Sequence, residues 1–155
     1  MVTFIPAFVS TEVMEWGKPL ELKLQGLTEI KDFQRVEKEH EQVAGPQPKA
    51  NISDVADHID HVAKVAGIDH VGIGSDFAGV TMPVGLEDVS RYPYLFAELI
   101  RRGWKDDALE KLAGGNLVRV LGEAERVAAR LRNERPPSTA TIEALDGKRP
   151  EAPRN

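Results

Sequence analysis

The sequence predicts an α/β fold built on parallel strands, and three stretches carry that prediction. Residues 71–75 read Val-Gly-Ile-Gly-Ser, a short apolar run with glycines spaced along it. Buried parallel strands look like this where another backbone comes close. An amphipathic helix precedes it, with Val55, Ile59, Val62 and Ala66 along one face and Gly67 as its stop. Helix, tight connection and buried strand make half of a βα repeat. The third stretch is Val2-Thr3-Phe4-Ile5, β-branched and aromatic, a strand closed by Pro6.

The 155 residues have the length of one ordinary domain, with 41% hydrophobic and 29% charged residues. A net charge of −5 argues against a broad electrostatic footprint for nucleic acid or anionic membrane. With no cysteine, disulfides and thiolate metal sites are excluded. Met1 to Ser10 is apolar, but no basic segment precedes it and Glu12 and Glu15 follow. It reads as neither signal peptide nor membrane span, and the expectation is a cytoplasmic protein. Asn51-Ile52-Ser53 matches a glycosylation sequon and is read here as the approach to a helix cap.

In chain order, Gly17 to Gly26, with Pro19, predicts a loop or short excursion. Leu27, Ile30, Phe33 and Val36 recur at spacings of three and predict a narrow-striped helix over residues 27–43, ended by Gly45-Pro46-Gln47-Pro48. Ser53 is the expected N-cap of the next helix. After Asp76 the segment from Gly79 to Asp88, with Pro83 and Gly85, is a loop long enough to suggest function. Further helices are predicted over residues 94–102, closed by Gly103, and from Asp106 or Asp107 to Gly114-Gly115. Asn116 opens a longer helix whose Leu117, Val120, Leu121, Ala124, Val127, Ala128 and Leu131 make a wide apolar face. Pro136-Pro137 ends it, and residues 136–155 form a polar, Pro-containing tail lying loosely on the surface.

Asp76 is the first candidate for chemistry, because it stands where the 71–75 strand ends and a (β/α) barrel places its catalytic groups there. The bland reading is that it caps a turn by accepting backbone N–H bonds. Both readings stay open at this point. His58 and His61, with Asp54 and Asp57, lie at helical spacing, but the HExxH pattern is missing and a structural role is preferred. His70 is at the wrong end of the strand for catalysis, and His40, among charges, reads as solvated. Gly72-Ile73-Gly74 lacks the third glycine of a dinucleotide loop, and Asp76 would repel a pyrophosphate. Glu87 and Asp88 read as caps for the following helix.

Several runs together resemble the membrane dipeptidase (renal dipeptidase, peptidase M19) family. They are Asp57-His58-Ile59-Asp60-His61-Val62, Gly67 to Phe77, Gly85 to Ser90 with Tyr92-Pro93, Arg102-Gly103-Trp104 and Gly115 to Val120. With Met1 to Phe4, the resemblance extends to about Leu131. It implies the C-terminal portion of a TIM-like (β/α)8 barrel, about two strands with surrounding helices, over residues 1–135. It also implies a zinc-dependent dipeptidase acting on dipeptides, including those with a C-terminal D-residue. In the family a pair of zinc ions is held by an upstream His-x-Asp, a bridging Glu and two later His, and none of the four histidines here falls on those positions. By family position Asp76 would move the proton from the attacking water to the leaving amine, and Phe8, expected at the end of the first strand, would line the substrate pocket. The pattern departs at Ala78, where the family has a second Asp.

A full barrel takes about 250 residues. The expectation is therefore a truncated C-terminal part that binds no zinc and is inactive alone. The alternatives are a non-catalytic remnant kept as an assembly or interaction module, and an active complex in which a separate N-terminal partner completes the barrel. Open strand edges lead us to expect poor stability or self-association of the isolated chain.

Overall fold

The structure is a computed structural model that describes residues 1–77 and 81–147. The expected features at Ala78, Gly79 and residues 148–155 lie outside the described residues. Strand β1 (Val2–Thr3) pairs in parallel with β2 (Ile73–Ser75), as the βα pattern predicts. Val2 stands opposite Ile73 and Thr3 opposite Ser75, with an irregularity between them. The Val2 N–H donates to the Gly72 carbonyl at 2.7 Å, and the Phe4 N–H to that of Ser75 at 3.0 Å. Gly74 lets the two strands come close, since a Cβ there would lie a tight 3.1 Å from Met1 Cβ and 3.5 Å from the Val2 carbonyl oxygen.

Between the strands run α1 (Pro6–Val9), α2 (Thr11–Leu24), α3 (Ile30–Ala44) and α4 (Ile52–Ala66). After β2 come α5 (Tyr92–Arg101), α6 (Asp106–Glu110), α7 (Asn116–Glu134) and α8 (Ile142–Asp146), with a π-turn over Lys111–Gly115. The chain divides into two compact units, Met1–Val118 and Arg119–Asn155. The core belongs to the first and contains Phe4, Val55, Ile59, Leu86, Leu95 and Leu99, all with no solvent exposure.

Three sequence expectations are corrected. The loop expected over Gly17 to Gly26 is largely helix, because α2 runs through Gly17 and Pro19 to Leu24. Pro19 forfeits one helical hydrogen bond. Val13 and Leu20, two turns apart on one face, are both buried, and that packing outweighs the loss. The cap of α4 is Asn51 rather than Ser53. Asn51 Oδ1 accepts from the Ser53 N–H and Asp54 Oδ2 from the Asn51 N–H, each at 2.8 Å.

His40, expected in solvent, is 4% exposed. Its Nε2 donates to the Trp16 carbonyl at 2.8 Å, its ring stands edge-on to the Trp16 indole, and Trp16 Nε1 donates to the Gly45 carbonyl. An imidazole pairs a polar atom with an apolar face, so it closes the α2–α3 contact while its charged neighbours Glu39 and Glu41 stay outside. Meanwhile Ile30, counted in the apolar stripe, is 76% exposed.

Candidate active site

Asp76 immediately follows β2, at the end of the strand pair where Phe4 and Ser75 make its last hydrogen bond. Its φ of 68° is the one positive value of a non-glycine residue among the described residues. Asp tolerates this left-handed conformation better than most residues, yet it still costs on the order of 1 kcal/mol. The side chain is exposed, and among the described residues its carboxylate has no hydrogen-bond partner. The turn that Asp76 would cap in the bland reading, at Ala78 and Gly79, lies outside the described residues.

What holds Asp76 in place is the aromatic group next to it. Phe77 meets Phe4 edge-on at 6.0 Å between centroids, Tyr92 meets Phe4 at 5.9 Å, and Phe77 and Tyr92 are 5.8 Å apart. Such pairs favour edge-to-face geometry and fix both ring orientation and the backbone that carries it. The carboxylate thus projects from a strand end flanked by packed rings.

Phe8 is not at the end of the first strand as expected. Pro6 fixes the backbone for a first helical turn, so Phe8 lies in α1, 65% exposed. It lines a cleft of about 300 Å³ with Met1, His58, Val62 and His70, and Asp76 is not among the lining residues. A larger cleft of about 510 Å³ opens beside Ile5 and Pro6, bordered by Glu41, Lys49 and Met82. His58 is half-buried, while His61 and His70 are exposed. Among the described residues no group of three or more His, Asp or Glu side chains is placed to hold a metal ion.

The most connected polar group was not singled out from the sequence. Arg102, its side chain 17% exposed, donates through Nη1 to Asp57 at 2.5 Å and Asp60 at 2.9 Å. Its Nη2 reaches Ser53 Oγ at 2.8 Å, and its Nε reaches Glu98 at 2.7 Å. Trp104 Nε1 donates to the other oxygen of Asp60 at 2.6 Å. Burial alone would lower the Arg102 pKa, but bonds to Glu98, Asp60 and Asp57 raise it above its ordinary value. The legible signal was the spacing of Ser53, Asp57 and Asp60, which repeats along one face of α4 and calls for a cation. Arg102→Met is expected to destabilise the chain by about 2–4 kcal/mol in urea titrations, because it strands carboxylates beside a partly buried site.

The same network sets an acid limit. Bonds from Arg101 and then Arg102 hold the Glu98 carboxyl down from 4.5 to about 2. A depressed carboxylate stabilises the fold fully above its ordinary pKa and loses that contribution as pH falls through its folded value. Unfolding curves should therefore show stability falling between about pH 4.5 and 2, and Glu98→Gln should flatten that limb. Asp88 caps as expected, accepting from the Ser90 N–H at 2.8 Å at the start of the short turn Val89–Arg91, whereas Glu87, also expected to cap the following helix, instead accepts from the Gly85 N–H behind it at 2.8 Å. Asn116 is a further anchor, 6% exposed, donating to the carbonyls of Ile68 at 2.7 Å and Val71 at 2.8 Å just before β2.

The sequence matches the membrane dipeptidase family (peptidase family M19) over residues 1–135. The chain belongs to this dipeptidase family. A relative is the dipeptidase aclJ of Aspergillus oryzae, 51% identical over 88 residues, which are 56% of this chain and 21% of that protein. A similar solved structure is the probable dipeptidase PvdM from Pseudomonas aeruginosa, with TM-score 0.60 and 29% identity over 80% of this chain and 36% of that one. The chain thus spans about a fifth to a third of the length of these dipeptidases. Among the described residues no helix is long and apolar enough to cross a membrane.

Proposed function

We propose that these residues form the last strands and helices of a dipeptidase (β/α) barrel and supply its proton-transfer carboxylate, Asp76. The observation that carries this reading is the placement of Asp76: at the C-terminal end of a parallel strand, in a strained backbone conformation, exposed and without a partner among the described residues. A carboxylate so held can take a proton from an attacking water and deliver it to the leaving amine of a dipeptide. Phe8 is the proposed substrate-pocket residue. Zinc chemistry, implied by the family, would need ligands outside the described residues.

The test is dipeptide hydrolysis by the 155-residue chain with zinc supplied, alone and with the upstream part of a family dipeptidase. We expect no turnover alone and turnover on completion. Chelator-sensitive activity of the chain alone would overturn the missing-ligand reading. A second reading, a non-catalytic assembly module, is favoured by the exposed apolar side chains of α7.

A further inference from the structure

We infer that the cleft beside Ile5 and Pro6 is a subsite that takes an apolar side chain of the dipeptide, with Lys49 and Glu41 meeting the charged termini at its rim. The inference rests on the dipeptidase reading and names the substrates that reading leaves open. Position carries it first. The Phe4 N–H donates to the Ser75 carbonyl at 3.0 Å, so Ile5 and Asp76 leave the parallel pair at the same end. Thr81 and Met82, in the segment that follows Asp76, line the same cleft. That segment is tied down, because the Val84 N–H donates to the carbonyl of Ala50, itself a lining residue, at 2.8 Å.

The lining chooses the ligand. Ile5, Val13, Pro48 and Met82 border a space of about 510 Å³, within the range of small-molecule sites. Such walls favour an alkyl or aromatic side chain, which gains by leaving water. Lys49 and Glu41 are the charged residues of the lining. Both are exposed, and neither has an ion-pair partner among the described residues. A dipeptide with free ends is a zwitterion, so a rim with one charge of each sign answers its carboxylate and its ammonium. Phe8 shares α1 with Pro6 and Ala7 but lines the smaller cleft, together with Met1.

Methionine tells the two clefts apart. Of the three methionines, Met82 lines this cleft, Met1 lines the smaller one, and Met14 lines neither. The test is a nuclear magnetic resonance titration of the 155-residue chain, with isotope-labelled methionine methyl groups and no added metal. Met82→Leu assigns the Met82 signal. Gly-Phe is expected to move that signal saturably, through the ring current of the bound side chain, and to leave Met14 in place. Gly-Gly should bind about tenfold more weakly or less. Lys49→Glu, a change at an exposed position, should weaken Gly-Phe by about threefold or more. An unmoved Met82 signal, a response at Met1 instead, equal affinity for the two peptides or indifference to Lys49→Glu each overturns the inference. The dipeptidase reading fails separately. A completed enzyme that hydrolyses dipeptides while the chain fails this titration strikes the subsite alone. Binding at Met82 with an inert completed enzyme strikes the proton-transfer role of Asp76 and keeps the cleft as a dipeptide-binding site.

Discussion

Asp76→Asn is expected to lower kcat for dipeptide hydrolysis by about 10²–10⁴-fold in the enzyme completed from these residues and an upstream family segment. An amide keeps the size and shape of the carboxylate but cannot accept the proton that the reaction must move. Asn also tolerates a positive φ, so the backbone at 68° needs no adjustment and the unfolding midpoint should not change. The pairing of lost turnover with unchanged stability separates chemistry from architecture. Asp76→Gly makes the complementary case. Glycine relieves the left-handed strain, so this variant should gain up to about 1 kcal/mol while remaining inactive. Full activity in Asp76→Asn would reduce Asp76 to a turn residue.

Phe4→Ala should have the largest effect on stability, about 3–5 kcal/mol by urea denaturation. Phe4 is fully buried and touches both Phe77 and Tyr92 edge-on, so its removal leaves a cavity and breaks two aromatic contacts. The cavity would sit beside the strand end that carries Asp76, so the completed enzyme should lose activity through misplacement as well. Phe8→Ala is the control. With 65% of Phe8 in solvent, the change should stay within about 0.5 kcal/mol for stability and affect only substrate binding. A small effect of Phe4→Ala would mean that the aromatic group does not hold the strand pair together.

Sequence alone determined the parts of this protein whose cause is local. The alternation of Val71, Gly72, Ile73 and Gly74 specified a parallel strand, and the first strand pairs with it in that sense, although the strand is confined to Ile73–Ser75 and is half-buried to exposed rather than buried as expected. Apolar spacing with a terminal glycine specified α4, and the cap at Asp88 followed from residue type and position. Asp76 was legible as the residue at the strand's end, and the combined motifs carried the family.

Tertiary structure decided the rest, where distant residues outweigh local preference. Pro19 and Gly17 argue for a loop until Val13 and Leu20 find a core to bury in. His40 looks solvated until Trp16, on another helix, offers a carbonyl and a ring face. Arg102 becomes a hub only when α5 lies against α4 and brings it to Asp57 and Asp60, more than forty residues away in sequence. The left-handed backbone at Asp76, which marks it as strained rather than merely well placed, is a property of the folded chain.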